Sequence, residues 1–190
     1  MTTAAGGDLR SLREHPFELL RELERRSRVA ITGSPGEDVT TEEWVGIGLR
    51  LGNERFVIGR EEIREILMQP STLTRVPGAK PWVRGLANVR GHLLPIADLR
   101  AFLGAGDVTA ERTARVLVAN NQEFPVGLVV DEVYGFRRFL QREHVSEFPQ
   151  TVIRGDRYLR GAFRRGLEVW PVFSLERLLQ SREFQRAAED

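Results

Sequence analysis

Apolar and polar positions in this chain alternate over short stretches, and turn residues separate the stretches. Val45, Ile47, Leu49 and Leu51 share one face of an extended segment, with Gly46, Gly48 and Arg50 on the other. Gly52-Asn53-Glu54 predicts a turn, and residues 55–59 return as a strand to make a hairpin. Residues 62–68 fit two templates. Ile63, Ile66 and Leu67 suit a helical face, whereas Ile63, Glu65 and Leu67 suit one face of a strand. Residues 76–103 hold the densest set of special residues. Pro77, Pro81 and Pro95 fix φ, and Gly78, Gly85 and Gly91 permit turns. Two apolar runs, 86–89 and 93–97, meet at Arg90-Gly91, which predicts a β-hairpin with Gly supplying a positive φ. Pro95 predicts an edge position or a bulge for the second run. Asp98 predicts an N-cap for a short helical turn over 99–103, ended by Gly104.

Further along, 104–112 reads as loop, 115–119 as a strand rich in Val and Leu, 120–123 as a turn and 124–130 as the return. The run 126–133 is almost wholly apolar until Asp131, which predicts burial on both faces. Residues 134–140 are aromatic and basic, and 145–151, with Pro149, read as loop. Segments 158–163 and 167–172 predict another hairpin around Arg164-Arg165-Gly166. Ser174 caps a closing helix over 175–179, and the polar residues after it read as a tail or a helix extension. Near the start, His15-Pro16 opens a helix reaching about Ser27, with Phe17, Leu19, Leu20 and Leu23 as its apolar stripe. That stripe suits docking on its own domain or on a partner. Residues 33–41 read as linker, and 1–8 predict no fixed structure. Many short strands with turns every 8 to 12 residues or so point to small antiparallel barrels rather than a parallel sheet.

Composition sharpens this picture. The 190 residues suit one domain or two small intimate ones. With 28 basic and 27 acidic residues the formal net charge is +1, which disfavours a dedicated nucleic-acid binder. Lys80 is the only lysine, so almost every cation is an Arg, suited to planar bidentate pairing. The absence of cysteine excludes disulfides, thiolate metal sites and cysteine nucleophiles. No apolar run reaches membrane-spanning length and no apolar leader stands at the start, so a cytoplasmic location is the expectation.

Catalytic chemistry is hard to assemble from these residues. His15, His92 and His144 lack metal-ligand spacing. No nucleophile-elbow, phosphate-loop or dinucleotide-binding pattern is present. His92 and Asp98 form a conceivable acid–base pair without a nucleophile or oxyanion donor. Tyr134, Phe136, Arg137 and Arg138 form a conceivable base-stacking strand, so a nucleic-acid-binding β-barrel is the alternative function. Arg90, at or beside a hairpin tip, suits a carboxylate of its own protein or of a partner, although a solvated turn Arg has the same signature.

Five stretches together resemble the CheW-like coupling proteins of bacterial chemosensory systems. They are the opening hairpin from Trp44 to Gly59, Ile63-Arg64-Glu65-Ile66-Leu67, and Pro81-Trp82-Val83-Arg84-Gly85-Leu86-Ala87-Asn88-Val89-Arg90-Gly91. The other two are Leu94-Pro95-Ile96-Ala97-Asp98-Leu99-Arg100 and Gly127-Leu128-Val129-Val130-Asp131-Glu132-Val133. In that family the second stretch is extended, which tips 62–68 toward strand. The resemblance implies a mainly β fold of two small SH3-like antiparallel β-barrels sharing a hydrophobic core, with an N-terminal helix and a short C-terminal helix. It divides the chain into an extension over 1–41, a CheW-like domain over 42–182 and a tail over 183–190.

The resemblance also implies a non-catalytic adaptor without cofactor or metal. Such adaptors join the cytoplasmic tip of a methyl-accepting chemoreceptor to the regulatory domain of a CheA-type histidine kinase, with no nucleic-acid partner and no insertion into the membrane. Carried over by position, the receptor-binding residues are Ile63, Glu65, Gly85 and Arg90, while the kinase-binding residues stay unassigned. Arg90 then pairs either with an acid on the receptor tip or with Glu65. The N-terminal helix and the phrases T-R-V-P-G and V-R-G-L-A-N-V-R-G most resemble the PilI subgroup, which serves type IV pili and twitching motility.

Overall fold

A computed structural model describes residues 42–107, 112–147, 150–151 and 153–188. The predicted helix at Pro16 and the linker after it lie outside these residues. The period-two pattern becomes strand, although the return predicted over 124–130 begins only at Gly127. β1 (Glu43–Leu51) and β2 (Glu54–Gly59) form the opening hairpin. A single turn of 3-10 helix over Arg60–Glu62 leads to β3 (Ile63–Met68), so the stretch of mixed periodicity is extended. Six residues are too few for periodicity to choose between helix and strand. Antiparallel pairing with β6 (Arg115–Ala119) makes the choice.

Two sheets result. In the first, β8 (Glu132–Leu140), β1, β2, β11 (Glu168–Phe173), β10 (Leu159–Arg165) and β9 (His144–Val145) lie side by side in that order. The second runs β3, β6, β7 (Gly127–Val130), β5 (His92–Asp98), β4 (Val83–Val89). They are the sheets of the two predicted barrels. Antiparallel pairing dominates, but each sheet contains one parallel pair, β2 with β11 and β5 with β7. β5 is flanked on both sides, so Pro95 is not on an edge strand, and the β4–β5 pairing shifts register beside it, between Val83 and Gly85. β7 begins opposite Ile96, one residue further on. Toward β4, Pro95 faces Leu86, whose own N–H and C=O bond to Thr74 instead. The imide nitrogen therefore sits where no ladder bond is lost.

Apolar residues on β1, β2, β3, β5, β6, β7 and β11 meet in one central core, among them Leu49, Phe56, Ile58, Leu117, Leu128 and Phe173. Each sheet also has a second buried face. Ala87, Leu94, Ile96, Val116, Val118 and Val129 fill one barrel. Val57, Phe139, Phe163, Trp170 and Val172 fill the other, with Trp44 and Tyr134 packed on them. The run is buried on both faces from Val126 to Asp131, Leu128 and Val130 facing the central core and Val129 the barrel, while Glu132 and Val133 are half-buried.

Short helices close the core. Asp98 caps α1 (Leu99–Phe102), its Oδ1 accepting from the Ala101 N–H at 3.0 Å, and Gly104 follows at φ +75°. Ser174 caps α2 (Leu175–Gln180), whose Leu175, Leu178 and Leu179 are buried. A further turn, α3 (Arg182–Gln185), is capped by Ser181. Phe184 on α3 stacks on Trp82 with centroids 5.1 Å apart and meets Phe102 edge-on at the same distance. The residues after α2 therefore pack on the domain, and Ala188 bridges to Ala79.

The sheets curl until their edges meet, and an Arg–Glu pair sits at each meeting. In the first, Arg165 of β10 donates to both carboxylate oxygens of Glu143, at 2.8 and 2.7 Å, and to the Arg138 carbonyl of β8 at 2.8 Å. Glu143 also accepts from the Leu140 N–H. These bonds, Arg165 foremost, hold the Glu143 carboxyl at about 2 against an ordinary 4.5. A carboxyl with a lowered folded value stabilises the fold above its ordinary range, and that contribution is lost as pH falls toward the lowered value. The Glu143 side-chain carboxyl carbon is expected to titrate near pH 2 by NMR, and Arg165→Gln to return it toward 4.5. A wild-type midpoint already in the ordinary range would refute the seam as described.

Candidate functional site

At the seam of the second barrel, the β4–β5 hairpin faces the edge strand β3. Arg90 and Gly91 are the two loop residues, at φ +53° and +86°. Both are left-handed, as a tight hairpin of this twist requires. Asn88 braces the turn by accepting from the Gly91 N–H at 2.9 Å. Arg90 is the only non-glycine with positive φ among the described residues. An L-residue held there costs on the order of 1 kcal/mol. The turn thus sets the backbone from which Arg90 projects, at an energetic cost.

From that turn Arg90 Nη2 reaches Glu65 Oε2 at 2.8 Å. The Glu65 side chain is 20% exposed and that of Arg90 is 77% exposed, so the pair has a sheltered anion and an open cation. Arg64 stands 3.8 Å from the other Glu65 oxygen. Of the two partners open to Arg90 in the sequence, the folded chain on its own pairs it with Glu65. Around them lies a cavity of about 590 Å³ lined by Arg64, Glu65, Arg90, His92, Leu93 and Pro125, with Val89 and Leu94. Leu93 is 69% exposed, an aliphatic side chain left in water beside a charged pair.

Of the four residues singled out in the sequence, Glu65 and Arg90 meet here. Ile63 and Gly85 do not line this cavity. Ile63 is buried in the central core. Gly85 sits at a bulge of β4 with φ +134°, and a Cβ there would land on the Thr74 carbonyl oxygen. Its requirement is for backbone space. Leu93, Val89 and Pro125 are additions. Leu93 had a signal in the sequence: with Leu94 and Ile96 facing inward, it falls on the outward phase of β5 yet is apolar.

The other candidate chemistries do not assemble. His92 and Asp98 occupy opposite ends of β5, and Asp98 is fully buried as a helix cap. Among the described residues no group of His, Asp and Glu is arranged to hold a metal ion. No helix among them is long and apolar enough to cross a membrane. The aromatic–basic strand does not present one stacking face. Tyr134 packs edge-on against Trp170, while exposed Phe136 and Arg138 fall on the other side of β8 from Arg137 and Phe139.

The CheW-like domain model matches residues 46–183, nearly the whole described chain. This chain belongs to the CheW-like family. The protein PilI of Pseudomonas aeruginosa is 38% identical over 169 residues, covering 89% of this chain and 94% of that protein. The chemotaxis protein CheW of Helicobacter pylori is 27% identical over 161 residues, covering 85% and 96%. Among solved structures, the scaffolding protein TtCheW of Thermoanaerobacter tengcongensis superposes with a TM-score of 0.65 at 18% identity, over 75% of this chain and 96% of that one. This likeness establishes the fold of two sheets about a shared core. The candidate site of this CheW-like chain is a groove with a charged pair and an exposed leucine.

Proposed function

We propose that this CheW-like chain is a non-catalytic adaptor, and that the groove beside Arg90 takes the cytoplasmic tip of a chemoreceptor. The observation that carries this reading is Arg90. It is held at a strained turn, paired on one side to sheltered Glu65 and open on the other. A guanidinium presents five N–H donors, so one carboxylate leaves it capacity for a second. Leu93 beside it supplies an aliphatic contact. Ile63 enters this reading only as a residue of the central core, and Gly85 only through the backbone space it keeps at the β4 bulge. Through its other surfaces the adaptor engages the regulatory domain of a CheA-type histidine kinase. It works in the cytoplasm, at arrays of membrane-bound receptors, without a nucleic-acid partner. The likeness to PilI supports a pathway controlling type IV pili and twitching motility. Residues 42–182 form the coupling domain, preceded by the 1–41 extension and followed by the 183–190 tail.

Each contact of such an adaptor is small, and a lattice of them is collectively firm. Arg90→Ala keeps a Cβ at the same positive φ, so the fold is expected to stand. Receptor-tip binding is expected to weaken by about 2 kcal/mol, the effect of truncating a central anchor. Calorimetric titration of a receptor-tip fragment measures this, with circular dichroism to check the fold. Equal affinity for both proteins would remove Arg90 from the interface.

A further inference from the structure

The first barrel carries a second pocket, remote in sequence from the Arg90 groove and unused by the reading above. It encloses about 450 Å³, and its walls include Arg55, Tyr134, Arg137, Arg165, Glu168 and Trp170. Tyr134 meets Trp170 edge-on with centroids 6.1 Å apart. Two guanidinium groups lie over this pair of rings. Arg137 is 5.4 Å from the Trp170 centroid and 5.8 Å from that of Tyr134; Arg55 is 6.0 and 5.9 Å away. Such stacking lowers the freedom of long side chains and leaves the edges of their planar forks outward.

The charges around the pocket do not balance. Arg165 is committed to Glu143. Glu168 is the one carboxylate in the wall, and it is shared. One oxygen lies 3.8 Å from Arg55, and the other accepts from the Trp170 indole N–H at 3.5 Å. Arg137 has no carboxylate partner among the described residues; it donates to the carbonyls of Tyr134 and Phe136 at 3.3 and 3.2 Å. Two pre-ordered guanidinium groups, one loosely held carboxylate and an aromatic floor are complementary to an incoming carboxylate with an aliphatic neighbour.

We infer that this pocket binds an acidic segment of a partner protein, seating a Glu or Asp side chain between Arg55 and Arg137 above Trp170. An acidic peptide is favoured over single-stranded nucleic acid because guanidinium groups already lie over both rings, where a base would stack. The inference does not rest on the Arg90 groove.

The test titrates the ¹⁵N-labelled full chain at low salt with acetyl-Gly-Glu-Leu-Glu-Gly-amide. The same sequence with Gln for Glu, and a short oligothymidylate, are the comparison probes. Saturable shifts of the Arg55 and Arg137 Nε–H signals and the Trp170 indole signal are expected with the Glu peptide and not with the Gln peptide. Arg137→Gln is expected to weaken binding about tenfold, as loss of hydrogen bonds between charged groups does, whereas Arg182→Gln, at an exposed position on α3, is expected to leave it unchanged. No saturable shift, equal shifts with the Gln peptide, or shifts confined to other residues would overturn the inference. So would an unchanged affinity in folded Arg137→Gln. Displacement of the peptide by oligothymidylate with larger shifts of the same signals would reassign the pocket to nucleic acid.

Discussion

Replacing Asp131 by alanine is expected to lower the unfolding free energy by about 3 kcal/mol, the cost of leaving one member of a buried ion pair alone. Asp131 is 3% exposed and stands between β7 and β8. Its Oδ1 accepts from Arg100 Nη1 at 2.8 Å, and its Oδ2 accepts from the Gly52 N–H at 2.7 Å. The one carboxylate therefore ties the β1–β2 turn of the first sheet to the helix that follows β5 in the second. Alanine removes both acceptors at once and strands the guanidinium and the amide. Asp131→Asn keeps one acceptor oxygen and removes the charge, so an intermediate loss is expected. Urea denaturation followed by tryptophan fluorescence measures both. A loss below about 1 kcal/mol for the alanine variant would show that water replaces the carboxylate and that the tie is ornamental.

Gly85→Ala is expected to be nearly as damaging, at about 3 kcal/mol, for a different reason. Two terms add. An L-residue at φ +134° is strained whatever its surroundings, and the new methyl group lands on the Thr74 carbonyl oxygen. Thr74 cannot yield cheaply, because its N–H and C=O hold Leu86 at 2.9 and 2.8 Å. In a domain of this size the loss corresponds to a fall in melting temperature of roughly 10 °C. Calorimetry on the purified variant decides. If Gly85→Ala melts within a degree or two of the parent, the glycine is there for a partner and not for the backbone.

These two residues show what could be read in the sequence. Both stand in motifs that carried the family resemblance, yet neither motif disclosed the job. The positive φ and the carbonyl above Gly85 arise from a bulge and from a segment ten or so residues earlier, so no local pattern encodes them. The hairpins, the Asp98 cap and the doubly buried run before Asp131 were legible, because each depends on neighbours within a few positions. The Arg90–Glu65 pair was legible only as one of two options, since it joins edges of a curled sheet. Pro95 left edge and bulge both open for a related reason: whether a strand is an edge depends on where its neighbour begins. Phe184 reads in the sequence only as part of a polar tail or a helix extension, and its packing stays hidden, because a single aromatic residue has no period and its partners Trp82 and Phe102 lie far back in the chain.

The order of strands in the two sheets has a consequence for how the protein is made. β3 to β7 form one barrel from an unbroken stretch, while the other takes β1 and β2 from before it and β8 to β11 from after it. On the ribosome, the first hairpin emerges with an unpaired flank and must wait for the inserted barrel and then for the C-terminal strands. Nascent chains arrested after β7 should therefore resist protease from β3 onward and be cut within β1 and β2, the reverse of the usual N-to-C progression.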